Sequence, residues 1–287
     1  MFHRNPARAQ SHGGGLSVPG VLIRVGLLAA TCGVLPSESV LSADENDGRL
    51  AEAEAARELR EAGVRVFLDL KTGRVSEVNL DDFDGNLDDF DGNLKGALKK
   101  AATFSELTDL SLEATAVDDG MIPVIANLKK LEWLNLYRTR ISDAGFRAIL
   151  SLPSLTHLPA GETKITDGGL ADLNRAEKLR YLGLRGTAVS DRGAASIAKC
   201  EGLTGLHLGA TRITDDALPL LRDGLPNLQE LWLHDTAVTD AGLEVLKGFS
   251  RLRKLYLQRT RTTVTGVAAL RRALPDCDIY WESDPKP

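Results

Sequence analysis

The chain has 287 residues, of which 43% are hydrophobic and 26% charged, with 35 Lys and Arg against 40 Asp and Glu and a net charge of −5. That balance supplies no basic surface for a polyanion, so nucleic acid is excluded as a partner. Its three cysteines, Cys32, Cys200 and Cys277, form no C-x-x-C pair, which excludes the common zinc and dithiol redox motifs.

The N-terminus reads as an export signal over residues 1–43. Arg4 and Arg8 supply positive charge, Val25 to Leu35 is apolar but too short to span a bilayer, and small Ala43 precedes acidic Asp44-Glu45. The expected location is therefore the periplasm, the cell envelope or the extracellular space. Membrane association enters only through lipidation at Cys32, where the preceding Thr31 fits a lipoprotein signal poorly.

Residues 44–106 read as an N-terminal cap. Leu50 to Ala62 is rich in Ala, Glu and Arg and stops at Gly63, which predicts a helix. Val64 to Leu70 and Val75 to Leu80 read as two strands around the turn Lys71-Thr72-Gly73, and such a cap shields the apolar end of a stacked array. A seven-residue duplication follows, Leu80 to Asn86 and Leu87 to Asn93. Its acids lack the alternate spacing and the closing Glu of a calcium loop, so it reads as a solvated loop before a helix near Leu94 to Ala102.

From Leu107 one pattern repeats. Copies open at Leu107, Leu131, Leu155, Leu179, Leu203, Leu228 and Leu252, each close to L-x-x-L-x-L-x-x-T-x-[IV]-[ST]-D-x-G-L-x-x-L. A period of this length marks a solenoid whose units bury an apolar face only by stacking on their neighbours. The expected fold is α/β: a leucine-rich-repeat solenoid with a curved parallel sheet on the concave face and helices on the convex face. Seven repeats and terminal caps fill residues 107–281, with a closing strand at Ile279-Tyr280-Trp281 and a loose tail at 282–287. Stacked strands lie ~4.8 Å apart, which puts Cys200 and Cys277, about three units apart, beyond the reach of a disulfide.

The columns explain themselves physically. In Leu228-Gln-Glu-Leu231-Trp-Leu233 the leucines point into the stack and the intervening side chains to the concave side. Thr115, Thr139, Thr163, Thr187, Thr211, Thr236 and Thr260 form an unbroken column whose hydroxyls are expected to bond backbone where the chain turns out of the strand, forming a ladder along the array. Asp118, Ser142, Thr166, Ser190, Thr214, Thr239 and Thr263 are the expected helix N-caps. Asp119, Asp143, Asp167, Asp191, Asp215 and Asp240 follow them and would oppose the helix dipole, a structural duty rather than a metal-binding one. Val238 before the cap and Leu243 after it make a hydrophobic staple, repeated in other units.

These T-x-[IV]-[ST]-D-x-G-L units resemble bacterial exported leucine-rich-repeat proteins. They are also similar to the cysteine-containing repeats of F-box substrate receptors and, more distantly, to ribonuclease inhibitors. The resemblance covers Leu107 to about Trp281. It implies the fold and a binding role, and carries no catalytic residues with it. No F-box-like segment stands upstream.

The concave columns hold the candidate site. Before the second leucine of each strand stand Asp109, Trp133, His157, Tyr181, Gly205, Glu230 and Lys254. After it stand Ser111, Asn135, Pro159, Gly183, His207, Trp232 and Tyr256. Tyr137 and His234 lie two positions further on. Aromatic residues are 5% of the chain, so their concentration here marks a binding face. Charged rim candidates are Arg138, Glu162, Arg185, Asp235 and Arg259. Trp232, flanked by His207 and Tyr256, is the expected exposed anchor. The rings could instead stack on one another and stiffen the sheet. Pro159 removes a ladder donor and predicts a weak third strand. His207 and His234 are two residues out of register, roughly 8 Å apart along the backbone from strand spacing and rise, and no metal is expected.

With no nucleophile elbow, phosphate loop, zinc spacing or isolated acid pair, no enzyme activity and no cofactor are expected. The expectation is a recognition scaffold for a protein or peptide. Alternatives are an envelope glycan binder, whose rings stack on sugars, and a substrate-receptor-like adaptor.

Overall fold

The computed structural model describes residues 43–81, 83 and 94–281. The signal-peptide reading, most of the duplicated loop and the 282–287 tail lie outside them. Among the described residues, no helix is long and apolar enough to cross a membrane.

The expected alternation of strand and helix is present. Strands β1 (Arg65–Leu68), β2 (Val75–Asn79), β3 (Asp109–Ser111), β4 (Trp133–Asn135) and β5 (His157–Pro159) are followed by β6 (Tyr181–Gly183), β7 (Gly205–His207), β8 (Glu230–Trp232), β9 (Lys254–Tyr256) and β10 (Asp278–Tyr280). They form one ten-stranded sheet in chain order. Only β1 and β2 pair antiparallel; every later pair is parallel and in register. Helices α1 (Ala43–Glu61), α2 (Leu94–Ala101), α3 (Ile122–Ile125) and α4 (Asp143–Ile149) precede a 3₁₀ segment at Asp167–Arg175. Helices α5 (Asp191–Ile197), α6 (Ala217–Gly224), α7 (Asp240–Leu246) and α8 (Val264–Ala273) follow it. The chain is an α/β leucine-rich-repeat solenoid.

Burial follows the leucine columns. Leu228, Leu231 and Leu233 are at most 1% exposed, as are their equivalents in the other units. Each such side chain contributes roughly 1.5–3 kcal/mol through burial. The staple residues Val238 and Leu243 are equally buried. Cys200 and Cys277 are both free and buried.

The threonine hydroxyls bond backbone where the chain leaves the strand, as expected, and do so within a unit: each donates to a carbonyl three residues back, as Thr187 does to Leu184 at 2.7 Å and Thr236 to Leu233 at 2.6 Å. They close the turn that leaves the strand. The bridging between units falls to the aspartates. Asp143 accepts from the Thr166 N–H and hydroxyl, both at 2.7 Å. Asp191 does the same for Thr214 and Asp240 for Thr263. Each carboxylate thus holds the cap residue of the next unit with two charge-assisted bonds, which are roughly twice as strong as neutral ones. In five units, the glycine three residues after the cap residue makes room for the ladder. A Cβ at Gly169 would stand 2.7 Å from Asp143 Oδ1, and at Gly193 2.6 Å from Asp167 Oδ1.

Ser142, Thr166, Ser190, Thr239 and Thr263 cap their helices as expected. Asp118 and Thr214 also accept from the N–H two residues on, Gly120 at 3.0 Å and Asp216 at 3.3 Å, although α3 and α6 begin later, behind Met121 and Asp216. These are the two units that carry Met121 and Ala217 where the others have the ladder glycine.

Both outer strands are finished alike. Arg60 of α1 donates through Nε and Nη2 to the Val66 carbonyl on β1. Arg271 of α8 donates to the Ile279 carbonyl on β10.

Candidate functional site

Because the parallel strands are in register, the face of the sheet away from the leucines carries two straight columns. Both are longer than the repeat pattern suggests. Glu77 and Asn79 of the hairpin strand β2 align with Asp109 and Ser111. Asp278 and Tyr280 of β10 align with Lys254 and Tyr256. Tyr280 was missed because it lies outside the repeat; the alternation Asp278-Ile279-Tyr280, matching Lys254-Leu255-Tyr256, is the signal that places it. Pro159 keeps its strand. It aligns fully with β6 but β5 meets β4 only at Trp133↔His157. The Pro159 carbonyl accepts from Leu136, so the missing N–H faces β4.

The rings form a chain of contacts. His157 stacks on Tyr181 at 6.2 Å, and Tyr181 meets Trp232 edge-on at 6.0 Å. Trp232 lies 5.2 Å from Tyr256 with planes 7° apart, and Tyr256 4.6 Å from Tyr280 at 8°. His207 touches both Trp232 and His234. Several rings lie down on neighbouring glycines: a Cβ at Gly205 would stand 2.8 Å from the Tyr181 ring and one at Gly161 3.0 Å from Tyr137. Gly209 leaves room in the same way for the His234 imidazole. This packing corrects the expected anchor. Trp232 is 6% exposed and His234 3%, so neither offers a ring surface to a partner. A glycine beside an aromatic in the adjacent unit is the sequence signal that the ring lies flat. Those left accessible are His157 and Tyr280, exposed, and Trp133, Tyr137, Tyr181, His207 and Tyr256, half-buried.

The rim residues fall into two clusters. In the first, the Tyr137 hydroxyl bonds Glu162 and Arg185, Arg185 Nη1 lies 2.9 Å from Glu162, and Arg138 lies 3.6 Å from it. Burial and the Glu162 bond push the Tyr137 hydroxyl up to about 12. In the second, His207 and His234 bring their Nε2 atoms to 3.0 Å. His234 Nδ1 bonds Asp235 at 2.8 Å, and Arg259 forks onto the Asp235 carboxylate. One proton at most fits between the two Nε2 atoms. Burial, reinforced by His234 and Arg185, lowers His207 to about 3; burial also lowers His234, against the pull of Asp235. Arg138, Glu162, Asp235 and Arg259 all have φ between 51° and 59°, at the turn that leaves each strand. Among the described residues, no group of three or more His, Cys, Asp or Glu side chains converges as metal ligands would.

The face can therefore offer ring edges, one open ring surface at each end and paired charges along its rim. No protein-family model and no curated protein matches the chain. Solved structures do resemble it. Internalin C2 of Listeria monocytogenes superposes with a TM-score of 0.55 at 18% identity, covering 81% of this chain and 92% of that one. Internalin F of the same organism gives 0.40 at 17% identity over 66% and 71%. The first likeness is one of fold: a leucine-rich-repeat array of similar extent.

Proposed function

We propose that this chain is a non-enzymatic recognition scaffold that holds a protein or peptide against its concave sheet face. The observation that carries the reading is the pair of in-register columns, which fix His157, Tyr256, Tyr280 and Trp133 on a rigid parallel sheet. Rigid amphipathic rings give contact area at low entropic cost, as binding hot spots do. Internalin C2 shares the fold, and internalins are leucine-rich-repeat proteins. The basic, apolar and small-residue order of residues 1–43 supports export.

A glycan of the envelope is the second reading. It is favoured by the parallel stack Trp232, Tyr256 and Tyr280, whose last ring is open at the sheet edge.

The test is binding of the mature chain to an oligosaccharide panel and to proteins captured from envelope extract. His157→Ala and Tyr256→Ala should each weaken a captured protein at least tenfold, while Lys247→Glu at the C-cap of α7, on the helical side, leaves it unchanged. Loss through Lys247→Glu with no effect of the ring substitutions would place the partner on the other face. Capture of sugars alone would favour the second reading.

A further inference from the structure

The geometry points to a peptide segment rich in Lys and Arg as the occupant of the N-terminal half of the concave face, across β2 to β5. This rests on the concave-face reading above and names the partner's chemistry.

Further along the face, Glu162 has Arg185 at 2.9 Å, Glu230 has Lys254 at 2.7 Å and Asp235 has Arg259, while Asp278 of β10 stands without an ion-pair partner among the described residues. Toward the N-terminus, Glu77 and Asp109 stand side by side on paired strands, and Glu113 follows two positions beyond Ser111. None of these three has an ion-pair partner among the described residues. Asp109 is held only by the Thr108 hydroxyl at 2.5 Å and Glu113 by the Asn135 amide at 2.9 Å. Of the cations on this part of the face, Arg65 lies 3.4 Å from Asp81 and Arg138 3.6 Å from Glu162. Burial and the neighbouring Asp109 raise the Glu77 carboxyl against the opposing pull of Arg65, so like charge and burial outweigh the counter-charge at this pair.

Trp133 makes the second observation. It lies in register between Asp109 and His157. Unlike His157, Tyr181, His207, Trp232, Tyr256 and Tyr280, its ring contacts no other ring among the described residues, and its indole N–H has no protein acceptor there. The ring stack does not use it. An indole face beside carboxylates suits a guanidinium or ammonium, which an aromatic ring attracts within about 6 Å of its centroid. Paired strands lie ~4.8 Å apart, so one ammonium can sit between Glu77 and Asp109 while the next cation along an extended peptide reaches Trp133.

The experiment is selection of a phage-displayed random dodecapeptide library on the full chain, in EDTA, followed by anisotropy measurements with the selected peptides. The expected peptides are enriched in Lys and Arg. Their binding should fall at least tenfold in Glu77→Gln/Asp109→Asn and in Trp133→Ala, and should weaken with added salt. The helix-side double variant Glu177→Gln/Glu201→Gln, with the same net charge, should leave it unchanged. Equal loss in the two double variants would mean that net charge alone attracts the peptide, and would overturn the inference. Selected peptides without basic enrichment that are lost in His157→Ala or Tyr256→Ala would overturn the inference and keep the concave-face reading. A library that yields no binder, or only binders insensitive to every concave substitution, would overturn both.

Discussion

Removing one rung of the aspartate ladder should weaken the joint between two units, and the neighbouring glycine should report it. Asp119 accepts from the Ser142 N–H at 2.8 Å and from its hydroxyl, in a half-buried setting. Asp119→Ala deletes both bonds and leaves the Ser142 N–H without a partner. At roughly 1–1.5 kcal/mol for each such partly solvated bond, the expected loss is about 2–3 kcal/mol. Gly145, the third residue of α4, is where a Cβ would overlap Asp119 Oδ1. Gly145→Ala alone should therefore destabilise by about 1–2 kcal/mol through the steric conflict. In the Asp119→Ala background the obstruction is gone, and Ala should recover up to ~1 kcal/mol of helix propensity relative to Gly. The two substitutions should thus be coupled by about 2 kcal/mol. Urea unfolding of the wild type, both single variants and the double variant measures the cycle. Additivity within about 0.5 kcal/mol would refute the claim that the glycine is present to admit the carboxylate.

Thr187→Val should lower stability by roughly 1–2 kcal/mol, because the buried hydroxyl that closes the turn onto Leu184 is lost; an unchanged urea midpoint would show that the turn holds without it. Trp232→Ala should cost about 3 kcal/mol or more by emptying the centre of the ring stack; a variant that melts like the wild type would show that the ring is not part of the packing. His207 has a folded pKa below that of the unfolded chain, so the unfolded state takes up more protons on acidification. Its stabilising contribution is complete above about pH 6.5 and is lost as the pH falls toward 3, with about 2 kcal/mol gone by pH 5. His207→Gln should flatten that part of the stability profile between pH 7 and 5, and an unchanged slope would assign the acid sensitivity elsewhere.

The fold was legible because its causes are periodic. Three leucines per unit, a threonine at the turn and a cap residue before an apolar staple each recur at a fixed offset, and local chemistry at one copy predicts the rest. What the columns do between units was not legible. An aspartate beside a cap reads naturally as a dipole partner, and only the stacking distance shows that its carboxylate reaches the cap of the next unit. The face was half legible. Alternation put Trp133, His157, Tyr181, His207, Trp232 and Tyr256 on one side, yet exposure depends on what stands in the adjacent unit. Gly205 and Gly209 let Tyr181 and His234 lie flat, and Tyr256 covers Trp232. The strands outside the repeat were harder still, since Glu77 joins the columns through register alone and Tyr280 is signalled only by the Asp278-Ile279-Tyr280 alternation.

The two terminal arginines have a consequence for assembly. Along β10, Asp278 and Tyr280 bond β9, so the Ile279 backbone points outward. On β1, Val66 points outward by the same alternation, since its neighbours Arg65 and Phe67 face Asn79 and Glu77 of β2. An incoming strand needs those carbonyls as acceptors, and Arg271 and Arg60 already occupy them. A sheet built from identical rungs has no internal reason to stop growing, and exposed edges invite copies of the chain to join end to end. Phe67, Leu68 and Leu70 stand exposed at or beside the β1 edge and would favour such joining. The guanidinium groups thus cover an outward acceptor on each terminal strand, the device that charged edges use against end-to-end joining.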